Sequence, residues 1–412
     1  NFHPTSHGLA AYPKRIMKNK ILCGDSLEVL KDFEDNYFDS VVTDPPYGLA
    51  FMGKKWDYDV PEVELWKEVY RVLKPGGHIL SFAGSRTYHR MAVNIEDAGF
   101  EIRDMLGWLY GSGFPKSYNI AKGIEGKLKH GSANWNDWNK LDGELVESKI
   151  GFSKLQKKQG YRNKDYSDKK HIQNVKFHTE EAKQWEGWGT ALKPAHEPIV
   201  MARKPFNTSV AENVLTHGTG GINIDECRIG GKEGRFPANI IHDGSEEVLE
   251  IFPETKSGKM QQHIKGGKYN VYGKMYPRDV VTIGDSGSAA RFFYCAKASK
   301  AERNMGLDDY EEKQVTDGTI RSNQETARTF GANSAKRKNY HPTVKPIKLM
   351  EYLVRLVTPK EGIVLEPFAG SGTTLIACKQ QGFNYIGIER EQEYCDIAEA
   401  RLKAVQVQGE LF

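Results

Sequence analysis

The sequence predicts an α/β protein built on a doubly wound, mostly parallel sheet that two large irregular tracts interrupt. Three observations predict it. Short apolar runs alternate with segments of helical spacing at both ends of the 412-residue chain. A glycine-bearing turn, Pro367-Phe368-Ala369-Gly370-Ser371-Gly372, directly follows one of the apolar runs. The alternation stops over 111–193 and again over 206–340, where no repeat period appears.

Residues 1–17 fit no element and are expected to form an N-terminal arm. Over 18–110 the pattern is regular. Lys20-Ile21-Leu22-Cys23 reads as a strand, and Ser26 to Phe33 as a helix that Asp25 or Ser26 can cap. Asp39 to Thr43 is the next strand. Asp44-Pro45-Pro46-Tyr47 follows it, and two prolines forbid further sheet pairing. Val63 to Leu73 has helical spacing and stops at Lys74-Pro75-Gly76-Gly77. His78 to Phe82 is a strand, Thr87 to Ala98 a helix, and Glu101 to Tyr110 a longer strand.

The first irregular tract, 111–193, is rich in Gly, Lys, Asn and Trp; its four tryptophans, Trp135, Trp138, Trp185 and Trp188, are expected to form a local core. Residues 194–205 bring back an apolar strand, Glu197 to Ala202, which should pair with Glu101–Tyr110 as a hairpin with an expanded loop. Within 206–340 the strand candidates are Ile222–Ile224 and Ala238–His242. From 341 to 412 the α/β pattern resumes: a helix over Lys345–Val357, a strand over Gly362–Glu366, the glycine turn, a helix over Thr373–Gln381, a strand over Asn384–Ile388 ending in Glu389, and a closing helix over Glu391–Lys403.

Composition narrows the function. The chain is 39% hydrophobic and 11% aromatic, enough to build packed cores. No run approaches the ~18 apolar residues of a membrane span, and the N-terminal residues lack a secretory pattern, so a soluble cytoplasmic protein is expected. Five scattered cysteines form no Cys-x-x-Cys pair, so neither a disulfide framework nor a metal site is expected. The net charge of +4 hides a division. Residues 115–190 carry net +5 and 256–345 net +8, leaving −9 on the remainder; on charge alone this fits segments that meet a polyanion and fits solvated basic loops equally.

Two motifs carry chemistry. A glycine turn after a buried strand admits a ligand close to the backbone, and the following helix presents free N–H groups. Glu389, 19 positions after Gly370 at the end of the next strand, is placed to accept hydrogen bonds from ribose hydroxyls. The turn is neither Gly-x-Gly-x-x-Gly nor a phosphate loop, which favours a nucleoside over a pyrophosphate. In the second motif the Asp44 carboxylate and the Pro45 carbonyl can face one amino group, with the Tyr47 ring at the same mouth. The amine of a nucleobase is a poor nucleophile because its lone pair is delocalised into the ring. Two acceptors for its protons favour a pyramidal nitrogen with a localised pair. Tyr47 can stack on a base withdrawn from its duplex.

Together these residues resemble the β-class amino-directed DNA methyltransferases, which use S-adenosyl-L-methionine. Asp44-Pro45-Pro46-Tyr47 matches their catalytic tetrad, and Glu366-Pro367-Phe368-Ala369-Gly370-Ser371-Gly372 their cofactor loop. Gly24-Asp25 and His341-Pro342-Thr343-Val344-Lys345-Pro346 match further blocks, and the order is that of the β-class. The resemblance implies a circularly permuted, Rossmann-like methyltransferase sheet with 18–110 as catalytic half, 341–412 as cofactor half, and inserted target-recognition regions. It implies that Asp25 meets the adenine region of the cofactor and Glu389 its ribose. Glu366, Phe368, Ala369, Gly370, Ser371, Gly372 and Thr373 form the loop, and His341, Thr343 and Lys345 complete the pocket. Lys345 could alternatively touch DNA phosphate. Lys54, Lys55, Lys336, Arg337 and Lys338 are DNA-binding candidates.

The expected reaction is methylation of N6 of a flipped-out adenine in double-stranded DNA, because the Asp form of the tetrad is typical of adenine enzymes in the family. Cytosine N4 or RNA as target, and an inactive DNA-binding protein, are the alternatives. Cytosine C5 chemistry is disfavoured, since it needs a Cys nucleophile, usually after proline, and no cysteine here follows one. A homodimer and a cognate restriction endonuclease are possible partners by resemblance.

Overall fold

A computed structural model describes residues 18–49, 59–111, 113, 117–133, 177–231, 233–258, 260–264, 278–282, 285–296, 300–315, 335–341 and 343–405. The chain divides into two compact units, one formed by residues 1–110 with 196–412 and the other by 111–195.

The larger unit is organised by a nine-stranded sheet. Its strands in chain order are β1 (Lys20–Cys23), β2 (Phe38–Thr43), β3 (Leu73–Phe82), β4 (Glu101–Leu109), β5 (His196–Arg203), β6 (Ile240–His242), β7 (Tyr294–Cys295), β8 (Ile363–Glu366) and β9 (Asn384–Glu389). Their spatial order is β1-β9-β8-β2-β3-β5-β4-β6-β7. β5 runs antiparallel to both its neighbours, and the other pairings are parallel. The predicted hairpin is present: Glu101 pairs with Arg203 and Leu109 with His196. The connections run β2 to β3 in one direction and β8 to β9 in the other, so the order reverses between β2 and β8. Ligands of doubly wound sheets bind at the carboxyl ends of strands flanking such a switch point. β1 pairs with β9 (Lys20 opposite Ile386), which joins the first and last of the described strands in one sheet, as the permuted order requires.

Alternation along the strands feeds two apolar layers. Val41 faces one and Val42 the other. On Val41's side the sheet packs beneath α1 (Ser26–Leu30), α2 (Val63–Val72) and α3 (Tyr88–Asp97), through Leu30, Trp66, Val69, Met91 and Ile95. On Val42's side lie α4 (Ile347–Val357) and α5 (Thr373–Gln380), through Leu349, Leu353, Leu375 and Ile376. A last helix, α6 (Gln392–Ala404), contributes Leu402 to that layer.

Three expectations need correction. β3 begins at Leu73, not His78: Phe38 pairs with Leu73 and Ser40 with His78, so Lys74-Pro75-Gly76-Gly77 is a bulge within the strand. Gly76, at φ +82°, still donates its N–H to Lys204 O at 2.9 Å. Ile222–Ile224 forms no strand; Asn223 N donates instead to Leu356 O. In the smaller unit Trp185 and Trp188 are not core residues. They pack edge to face at 5.2 Å and stay 38% and 59% exposed, while Trp135 and Trp138 lie outside the described residues. Among the described residues of that unit, the buried side chains are Ala121, Phe177 and Ala182, beside fully buried Glu125. Burial opposes ionisation of Glu125, yet Lys129, the Thr179 hydroxyl and the His178 and Thr179 amides outweigh it and hold its pKa near 2.

Candidate active site

Asp44 leaves the carboxyl end of β2, and Glu366 ends the adjacent β8. The two predicted motifs therefore meet at the switch point. The prolines after Asp44 stop the ladder, and Thr87 Oγ1 donates to Tyr47 O at 2.6 Å, which fixes the end of the turn.

The side chains at the turn form one cluster drawn from distant parts of the sequence. The Tyr47 hydroxyl donates to Asp44 Oδ1 at 2.6 Å and lies 3.2 Å from Glu197 Oε2. Lys345 Nζ donates to Asp44 Oδ2 at 2.7 Å, lies 3.2 Å from the same Glu197 oxygen, and is 4.7 Å from the centre of the Phe82 ring. Lys345 is only 8% exposed. Burial alone would lower its pKa, but Asp44 and Glu197 reverse that and hold the ammonium charged above its ordinary range. Burial, reinforced by the two carboxylates, raises the Tyr47 pKa well above the usual phenol value, so its hydroxyl stays a donor. Lys345, expected in the cofactor pocket or on DNA phosphate, bonds Asp44 and Glu197. Glu197 and Phe82 escaped the sequence reading. Their signal was faint: an acidic residue opening an apolar strand, and an aromatic closing one.

The glycine turn is built as predicted. Gly370 (φ +51°) and Gly372 (φ +79°) both occupy the left-handed region. A Cβ on Gly370 would stand 2.8 Å from His341 Nε2, and one on Gly372 2.8 Å from Ala398 Cβ. Gly370 N donates to Glu389 Oε2 at 2.8 Å and Glu391 N to Glu389 Oε1 at 2.9 Å; the Arg390 amide bonds the same carboxylate, which leaves it room for one further donor. Burial raises the Glu389 pKa. His341 Nδ1 lies 2.6 Å from Thr343 O, and burial depresses its pKa to about 4, so the ring is neutral. A carbonyl can only accept, so Nδ1 carries the proton and Nε2 faces Gly370 as an acceptor. Asp25 caps α1, its Oδ1 accepting from Leu27 N at 3.0 Å, and Ser26 Oγ donates to Pro367 O at 2.5 Å.

Some residues assigned to the loop stand behind it. Glu366 is 1% exposed; it accepts from the Thr43 hydroxyl, from Phe368 N at 3.1 Å and from the Thr374 hydroxyl at 2.6 Å. Burial outweighs these bonds and lifts its pKa to about 8. Ser371 and Thr373 are held by the fully buried Arg401, whose guanidinium donates to Ser371 O, to Ser371 Oγ at 3.1 Å and to Thr373 Oγ1 at 3.2 Å. Of the DNA-binding candidates, Lys54 and Lys55 lie outside the described residues. Lys336 and Arg337 belong to a short strand, Ala335–Arg337, paired antiparallel with Lys313–Val315. Lys338 Nζ is spent on Asp308 O at 2.5 Å. Among the described residues no group of three or more His, Cys, Asp or Glu could hold a metal, and no helix is long and apolar enough to cross a membrane.

A doubly wound sheet with a glycine loop and an acidic strand end on one side of its switch point, and a carboxylate–ammonium cluster on the other, defines a nucleoside-binding α/β architecture. The sequence profile of the N6_N4_Mtase family, described as DNA methylase, matches residues 38–400. The chain belongs to this family of amino-directed DNA methyltransferases, which are S-adenosylmethionine-dependent. It is similar to the type II methyltransferase M.HindIII of Haemophilus influenzae, 24% identical over 363 residues, covering 87% of this chain and 74% of that one. The putative methylase YubD of Escherichia coli is 46% identical over 67 residues, 16% of this chain and 30% of the relative. Among solved structures, the cytosine-N4-specific PvuII DNA methyltransferase is 16% identical with a TM-score of 0.43, covering 92% of this chain and 85% of that chain. The M1.HpyAVI–SAM complex is 16% identical with a TM-score of 0.38, covering 93% and 98%.

Proposed function

We propose that this DNA methyltransferase acts on N6 of adenine in duplex DNA, at a specific site, with Asp44 as the acceptor for the target amine. One observation carries the reading: the tetrad opens with a carboxylate, and that carboxylate sits at the switch point beside the Gly370 loop. The adenine leaves its stack, Tyr47 supports its ring, and N6 donates to Asp44 and to the Pro45 carbonyl. The nitrogen lone pair is thereby localised for attack, and Asp44 is placed to take the proton the nitrogen sheds.

The residues present fit S-adenosylmethionine. Two left-handed glycines leave space that a Cβ would fill, and the Glu389 carboxylate, with three backbone amides on it, keeps acceptor capacity for a ribose hydroxyl. Phe368, Ala369, Gly370 and Gly372 would line the methionine portion, Glu389 would hold the ribose, and Asp25 would lie toward the adenine. His341 and Thr343 would close the loop side. When bound, the cofactor supplies a methyl group activated by a positively charged sulfur. Glu366 and Arg401 hold the loop from behind. The basic segments 115–190 and 256–345 would contact phosphates, so binding should weaken steeply with salt.

The test is to incubate the protein with methyl-labelled S-adenosylmethionine and DNA from a methylation-deficient bacterium, then digest the DNA to nucleosides. Label in N6-methyladenine is expected. Label in 4-methylcytosine overturns the adenine assignment, and label in RNA alone, or none in any nucleic acid, overturns the DNA reading.

A further inference from the structure

The two donors that occupy Asp44 share a second acceptor. Tyr47 OH and Lys345 Nζ each lie 3.2 Å from one atom, Glu197 Oε2, while they bond Asp44 at 2.6 and 2.7 Å. Both Asp44 oxygens are therefore engaged, one of them by a cation, which weakens the carboxylate as an acceptor for a further N–H. Glu197 is itself firmly placed: β5 pairs it with Trp108 on one side, and the next residue, Pro198, accepts from Ala83 N on the other. Tyr110 also donates to it. The Phe82 ring lies against the ammonium, with 4.7 Å from Nζ to the ring centre.

We infer that Glu197 is a positioning residue: it gives the Lys345 ammonium a second berth, so that Asp44 is freed when the target amine arrives. The inference rests on the reading of Asp44 as acceptor of that amine. Before the base enters, Lys345 neutralises Asp44 and holds the turn. As the base enters, Lys345 and Tyr47 shift to Glu197, and the Asp44 carboxylate takes the amine. The cluster keeps two carboxylates against one ammonium, a net negative charge that favours the positive charge developing on the attacked nitrogen.

The inference makes a signed prediction. In Glu197→Gln the ammonium has only Asp44 as an anionic partner and stays there; methyl-transfer kcat on DNA from a methylation-deficient bacterium should fall about 30-fold, while KM for DNA and Kd for S-adenosylmethionine move less than about threefold. Adding Lys345→Met should then raise the rate about fivefold or more above Glu197→Gln alone, because the blocking cation is gone. Glu197→Asp, which keeps the charge on a shorter arm, should lie between parent and Glu197→Gln. A parent-like kcat for Glu197→Gln, or a double variant no faster than the single one, overturns the inference. If Glu197→Gln no longer binds cofactor, the comparison is made on Glu197→Asp with and without Lys345→Met, and again a rate that does not rise overturns it. DNA left unmodified by the parent protein would overturn the methyl-transfer reading itself, which separates the two failures.

Discussion

Two carboxylates stand at the ends of neighbouring strands and meet opposite fates. Asp44, just past β2, faces an ammonium and a phenol at the mouth of the cleft. Glu366, at the end of β8, is closed off among two threonine hydroxyls and one amide, and burial lifts its pKa to about 8. The difference lies in the partner. A cation balances the charge of a partly exposed carboxylate, whereas neutral donors leave a buried one short of compensation. One strand end thus carries an ion-paired acceptor, and the next keeps a mostly neutral group that ties β2, the loop and α5 together.

The comparison can be broken at either end. The largest effect is expected for Asp44→Ala: methyl incorporation into DNA should drop at least ~1,000-fold while cofactor affinity, read by calorimetry, stays within about twofold. Next comes Gly370→Ala, which forces a side chain into the left-handed region and against His341 Nε2; it should weaken S-adenosylmethionine binding by about 10- to 100-fold. Glu389→Gln replaces one charged acceptor of the same loop and should cost about tenfold in the same titration.

Glu366→Gln is expected to change least, since the amide imitates a carboxyl that is mostly protonated at neutral pH. Its signature is the pH dependence of stability. The unfolded carboxyl ionises near 4.5 and the folded one near 8. Between those values the folded state holds a proton that the unfolded state has released, so stability falls as pH rises through the window. Melting temperatures measured from pH 5 to 8 should decline more steeply for the parent than for Glu366→Gln. Equal slopes would mean that Glu366 is ionised in the fold, and the contrast with Asp44 would disappear.

Much of this was legible in the sequence because it is local. The proline pair after Asp44, the glycines at 370 and 372, and Glu389 at a strand end each carry their structural reason within a few residues. The hairpin of Glu101–Tyr110 with Glu197–Ala202 could also be read, since both runs are apolar and each needs a partner. What escaped is what the sheet brings together. Lys345 lies 301 positions from Asp44, and only the pairing of β2 with β8 and of β3 with β5 carries Lys345, Glu197 and Phe82 to one point. The break at Lys74-Pro75-Gly76-Gly77 misled for a different reason: Pro and Gly mark an interruption, and here the interruption is a bulge that the strand outlasts. Ile222–Ile224 has strand-like residues, but tertiary contact with Leu356 takes the backbone amide that a ladder would need.

The β4–β5 hairpin has a consequence for how such an enzyme can diversify. Its last paired step is Leu109 with His196, so the two ends of the intervening tract leave the sheet side by side. The entropic cost of closing a flexible loop grows only with the logarithm of its length, about 0.6 kcal/mol per doubling. A lineage could therefore shorten or lengthen that tract at little cost to the sheet, while the reaction centre, assembled from other segments, stays under separate selection.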